Sequence, residues 1–97
     1  MTTHVIVLSK PDPAKADGAR RYADAVQPLL KAAGVVPTLR APVAASVAGK
    51  ATPATVLVLE FADEAVARGF FDQPAYRDLI PLRDDSFAHM EIHILGG

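Results

Sequence analysis

Two stretches of this sequence are apolar at both strand parities. Val5-Ile6-Val7-Leu8 and Val56-Leu57-Val58-Leu59 contain no polar residue and are rich in β-branched side chains, so both read as strands. In an antiparallel sheet with helices on one side, the other face normally meets water and alternates polar residues. Neither stretch alternates, so something must cover the second face, and a second copy of the chain is the simplest candidate. Composition points the same way. Of 97 residues 51% are hydrophobic, but 18 are alanine, so large core side chains are few. A chain of this length buries only about 60–65% of its unfolded surface and is marginal alone.

The length fits one domain spanning residues 1–97. Ten basic and eleven acidic residues give a net charge of -1, which leaves no electrostatic footprint for nucleic acid or an acidic membrane. There is no cysteine, hence no disulfide, thiolate metal site or cysteine nucleophile. No run approaches eighteen apolar residues, and the first ten residues lack a basic, signal-like start. A cytoplasmic location is the default expectation.

His4–Ser9 is the first strand, stopped by Lys10-Pro11-Asp12-Pro13. Ala14–Ala33 is a helix whose inward face carries Ala19, Tyr22, Ala23, Val26, Leu29, Leu30 and Ala33. Asp12 is its N-cap, Pro13 suits its first turn and Gly34 its stop. Pro28 is expected to kink it or split off its last turn. Val35–Val47 is β-like, and Pro37 and Pro42 make it an edge strand or one with a bulge. Ala54–Phe61 is the clearest strand. Asp63 caps a helix to about Phe71, with Val66, Ala67, Phe70 and Phe71 facing inward. Pro74 begins a short helical turn with Tyr76, Leu79 and Ile80, ending near Pro81. Met90–Leu95 is the last strand. The order βαββαβ is that of the α+β ferredoxin-like fold, an antiparallel sheet with the helices on one face.

Several motifs along this order look familiar together: His4-Val5-Ile6-Val7 followed by Asp12-Pro13, Tyr22 in a helix with Pro28, Leu39-Arg40, Leu59-Glu60-Phe61, Asp63-Glu64-Ala65, Phe70-Phe71, Pro74-Ala75-Tyr76, and Leu79 through Arg83. On these the chain resembles the domain-of-unknown-function family DUF1330, within the dimeric α+β barrel superfamily. The resemblance implies a small homodimer whose two sheets face each other. It implies almost no chemistry, since the superfamily holds cofactor-free monooxygenases, isomerases, cyclases and haem enzymes. The chain departs from the family where Arg40-Ala41-Pro42 replaces Arg-Gly-Gly, and where Glu91 and His93 stand in a usually apolar strand.

Arg40, Glu60, Tyr76 and Arg83 are the polar residues on these motifs, and they are expected around one pocket between sheet and helices. There Arg40 and Arg83 would bind an anionic or enolisable substrate. Glu60 or His93 would move a proton, and Tyr76 would donate a hydrogen bond. The alternative is an Arg–Glu pair that only ties a strand to the segment after the second helix. His89, Glu91 and His93 alternate on one strand face and match the ligand types of an iron or zinc site. Their ends lie about 13 Å apart in an extended strand, so a hydrogen-bonded stripe without metal is the expectation. His4 shares the parity of Ile6 and Leu8, and its place beside the last strand brings it toward His93. No Gly-x-Gly-x-x-Gly or phosphate-binding loop is present, so no nucleotide cofactor is indicated. The functional expectation is a homodimer acting on a small-molecule ligand, as a cofactor-independent isomerase, cyclase or oxygenase. The alternative is a non-catalytic ligand-binding or structural dimer.

Overall fold

The computed structural model of the chain describes residues 2–96. Four strands, β1 (Thr3–Pro11), β2 (Val36–Pro42), β3 (Thr55–Phe61) and β4 (Phe87–Ile94), pair antiparallel in the order β2-β3-β1-β4. Helix α1 (Ala16–Ala32) joins β1 to β2. Helices α2 (Glu64–Asp72), α3 (Pro74–Arg77) and α4 (Ile80–Ser86) join β3 to β4. This is the α+β ferredoxin-like fold expected from the element order. The core lies on the helix side of the sheet, where Val5, Leu59 and Phe61 meet Tyr22, Leu30, Ala67, Phe70 and Tyr76.

Local chemistry sets the boundaries. The Asp12 carboxylate accepts from the Ala14 amide at 2.9 Å, and Pro13 opens a 3₁₀ turn that leads into α1. After α1, Gly34 has φ +69°, and the Gly34 and Val35 amides donate to the carbonyls of Lys31 and Leu30. A side chain would strain that left-handed position. Pro28 does not split off the last turn, and α1 runs through it to Ala32. Pro28 and Asp24 are both exposed, so the carbonyl that Pro28 leaves without a donor lies on the wet side of the helix. β2 is an edge strand and carries a one-residue bulge, because its register shifts between Pro37 and Leu39.

Two expectations are corrected on the second half of the chain. Val66 is 40% exposed. The inward face of α2 centres on Ala67 and Phe70, and Val66 and Phe71 flank that centre by about 70° on either side. Pro81 does not stop a helix; it sits in the first turn of α4, where a missing N–H costs nothing.

Helix α4 packs on α1 at Gly18. A Cβ at Gly18 would lie 2.3 Å from Ser86 Oγ and 3.2 Å from Ser86 Cβ. Ser86 is buried, and its hydroxyl has no hydrogen-bond partner among the described residues. Gly18→Ala gains up to about 1 kcal/mol of helix propensity but overpacks a closed contact, which costs about 1–3 kcal/mol. A net loss of about 1 kcal/mol is expected in urea unfolding. Ser86→Ala alone is expected to be near neutral, since the hydroxyl it removes makes no bond. The double variant should recover the loss, so the two changes combine non-additively.

Candidate functional site

A cavity of about 410 Å³ lies between the helix side of the sheet and α1. Strand alternation supplies its floor: Val7 and Ser9 of β1, Thr55, Leu57 and Leu59 of β3, and Met90 and Ile92 of β4. Its roof is the face of α1 that carries Ala16, Ala19 and Ala23. Alanine at these positions leaves the gap that larger side chains would close. Aromatic walls come from Tyr22, Phe70, Phe71, Tyr76 and Phe87. Arg40, Arg20 and Gln27 are the large polar side chains on its border, and among the described residues no carboxylate or imidazole lines it.

Two tyrosines meet at the wall. The hydroxyl oxygens of Tyr22 and Tyr76 lie 2.8 Å apart. The Arg83 guanidinium donates to the Tyr76 hydroxyl at 3.0 Å and to Asp84 at 3.1 Å, and stands 5.9 Å from the centre of the Tyr76 ring. Burial first, and then the Tyr76 hydroxyl, push the Tyr22 phenol far above its ordinary value, so it stays protonated. Burial opposes the Arg83 charge, but the bonds to Tyr76 and Asp84 outweigh it and hold Arg83 above its ordinary value. Either phenol can donate in the mutual bond. One of the two phenolic protons is therefore left without an acceptor among the described residues.

The structure brings some of the expected site residues together and not others. Tyr76 and Arg40 line the cavity. Arg83 reaches it only through the Tyr76 hydroxyl. Glu60 does not join them. Leu57 and Leu59 point toward the helices, so Glu60, one residue on, points to the opposite face. There it is the register partner of His4, with His4 Nε2 and Glu60 Oε2 3.8 Å apart, and among the described residues it meets no arginine. His93 lies on the same open face, opposite Ile6 in the register of β1 and β4. Its Nε2 is 2.9 Å from Glu91 Oε1, and His89 bonds the other oxygen of the same carboxylate. The bonds to His93 and then His89 hold the Glu91 carboxyl below its ordinary range. His89, Glu91 and His93 thus form a bridged polar stripe along β4. Tyr22 is the site residue that the sequence reading did not single out. Its signal was the helical face of Ala14–Ala33, where it is the one aromatic residue and the one with a hydroxyl.

With this geometry in place, comparison with known proteins assigns the chain. A family model described as "Domain of unknown function (DUF1330)" matches residues 5–97. The chain belongs to this family. No curated protein matches the chain. Among solved structures, the DUF1330 chain is similar to RPA0582, a protein of unknown function from Rhodopseudomonas palustris, with a TM-score of 0.81 at 15% identity, covering 99% of this chain and 82% of that one. It is similar to a dimeric ferredoxin-like protein of unknown function from Jannaschia sp. CCS1, with a TM-score of 0.76 at 12% identity over 100% of both chains. It is also similar to a candidate antibiotic biosynthesis monooxygenase from Bacteroides thetaiotaomicron, with a TM-score of 0.69 at 12% identity, covering 99% of this chain and 89% of that one. At these identities the likeness is one of fold.

Proposed function

We propose that this DUF1330 chain is a homodimer in which each subunit binds a small organic molecule in the cavity between sheet and α1. The cavity itself carries the reading: it is apolar, bordered by Arg40, and has the Tyr22–Tyr76–Arg83 group at its wall. Dimerisation is supported by the open face of the sheet, where Ile6, Leu8, Val56 and Val58 are joined at the edge by Val36 and Leu39, which are 56% and 52% exposed. Similar structures described as dimeric lend further support.

The catalytic form of this reading is an isomerase, cyclase or oxygenase acting on an enolisable metabolite. Buried phenols and an arginine beside them stabilise negative charge that develops on a substrate oxygen. The fold likeness to the candidate monooxygenase is consistent with it. A non-catalytic ligand-binding dimer is the second reading, favoured by a cavity with no carboxylate or imidazole among its described lining residues to take a proton. Under either form, Glu60 and His93 face the partner subunit.

The test combines mass with a neutral probe. Light scattering is expected to give about 20 kDa, twice the 10.2 kDa chain. N-phenyl-1-naphthylamine is expected to brighten on binding the folded protein. Ala23→Phe, which fills the cavity from α1, should abolish that signal and keep the mass. A probe signal unchanged by Ala23→Phe would remove the cavity from the proposal, and a mass near 10 kDa would remove the dimer.

A further inference from the structure

We infer that the molecule taken by this cavity is an amphipathic anion, a one- or two-ring or equivalent aliphatic body with one carboxylate or phenolate seated on Arg40. The inference rests on the reading that the cavity is a ligand site. It starts from the β2 bulge. Residues paired across neighbouring strands share a face of the sheet. As built, Leu39 pairs with Val58 on the open face and Arg40 pairs with Leu57 on the cavity side. Without the extra residue, Thr38 would pair with Val58, Leu39 with Leu57 and Arg40 with Val56. Arg40 would then project from the open apolar face. The bulge therefore turns the guanidinium to the cavity and the leucine away from it, and the Thr38 hydroxyl fastens it by donating to the Val58 carbonyl at 3.3 Å. Re-aiming a side chain in this way is a characteristic use of a bulge near a functional site.

The charges at the cavity have one sign. Arg20 is already bonded to Asp17 at 2.9 Å. Arg40 is exposed at the border of this mostly apolar cavity and makes no ion pair or hydrogen bond among the described residues, so its guanidinium is free to take a ligand. Among the described residues no acidic side chain lines the cavity to receive an ammonium group. The tyrosine pair adds a donor in excess, because its two phenolic protons serve one mutual bond. A site with a free guanidinium, a spare hydroxyl proton and apolar walls is complementary to an oxyanion on an apolar body. At about 410 Å³ it sits toward the small end of ligand cavities, which run from about 300 to 1,000 Å³.

The experiment titrates the intact protein with three molecules of one shape: 2-naphthoate, 2-naphthamide and 2-naphthylmethylammonium. Naphthoate is expected to bind about tenfold or more tightly than the amide, the ammonium least. Arg40→Met should lower naphthoate affinity by about tenfold and leave the amide unchanged. Arg40→Lys should recover only part of it, because a lysine lacks the two-pronged donor. Amide binding equal to naphthoate, or naphthoate binding unaffected by Arg40→Met, overturns the anion assignment and leaves the cavity reading standing. The same holds if none of the three binds while N-phenyl-1-naphthylamine does. If the neutral probe also fails to bind, the cavity reading beneath it falls as well.

Discussion

Val58→Asp is expected to abolish the 20 kDa species and to leave monomer of low stability or insoluble protein. Val58 stands at the middle of the open face, on a central strand, with Ile6 on one side and Leu39 on the other. Burying a valine against a partner is worth about 1.5–3 kcal/mol, and an unpaired carboxylate placed there adds a desolvation penalty of several more. A symmetric dimer carries every change twice, so a loss of about 4 kcal/mol or more in association free energy is expected, roughly a thousandfold in the dissociation constant. Leu39→Lys at the edge strand is the milder companion, expected to weaken the dimer while the subunit folds. Val47 lies in the loop between β2 and β3 and is 99% exposed, so Val47→Asp should change neither mass nor melting temperature. A full-mass dimer with unchanged melting in Val58→Asp would mean that this face is not the interface.

Much of the fold was legible in strand parity and caps. The unbroken apolar character of Val5–Leu8 and Val56–Leu59 marks both as strands of the sheet, the Asp12 and Asp63 carboxylates announce helix starts by accepting from the backbone amides of Ala14 and Val66, and Gly34 announces a helix end by its positive φ. Pro37 signalled an irregular edge strand, and the bulge is there. What was not legible has physical reasons. A proline both ends helices and opens them, so Pro81 alone did not reveal α4. The site was harder. Glu60 is conspicuous in an apolar strand, but the parity of Leu57 and Leu59 already placed it on the other face. Arg40 has the parity of the open face in an unbroken strand, and only the bulge brings it to the cavity. Tyr22 read as core because a helical face does not show that alanines beside it leave a void.

The tyrosine pair is where stability and ligand recognition separate most cleanly. Tyr76 is buried, and its ring lies 5.1 Å from Phe71, 5.9 Å from Phe70 and 6.4 Å from Tyr22, centre to centre. Tyr76→Ala removes the ring from all three and is expected to cost about 3–5 kcal/mol, enough to unfold a domain of this size or bring it close to unfolding. Tyr76→Phe keeps the ring and removes only the hydroxyl. Tyr22 then loses its partner in a buried place, while Arg83 keeps its bond to Asp84 and is open enough to rehydrate. The expected cost is about 1–2 kcal/mol, carried mainly by the Tyr22 hydroxyl. Tyr22→Phe should cost a similar amount. The double variant should cost less than the sum, because both single changes break the same bond. Urea unfolding of the four proteins gives that coupling. Additive losses would mean that the hydroxyls do not hold each other. The titration with 2-naphthoate then reads the other role. If the spare phenolic proton serves a bound oxyanion, the double variant binds naphthoate more weakly and the neutral amide with less change. If both affinities stay at the wild-type value while stability falls, the hydroxyl pair is a structural clamp between α1 and α3, and Arg40 alone receives the charge.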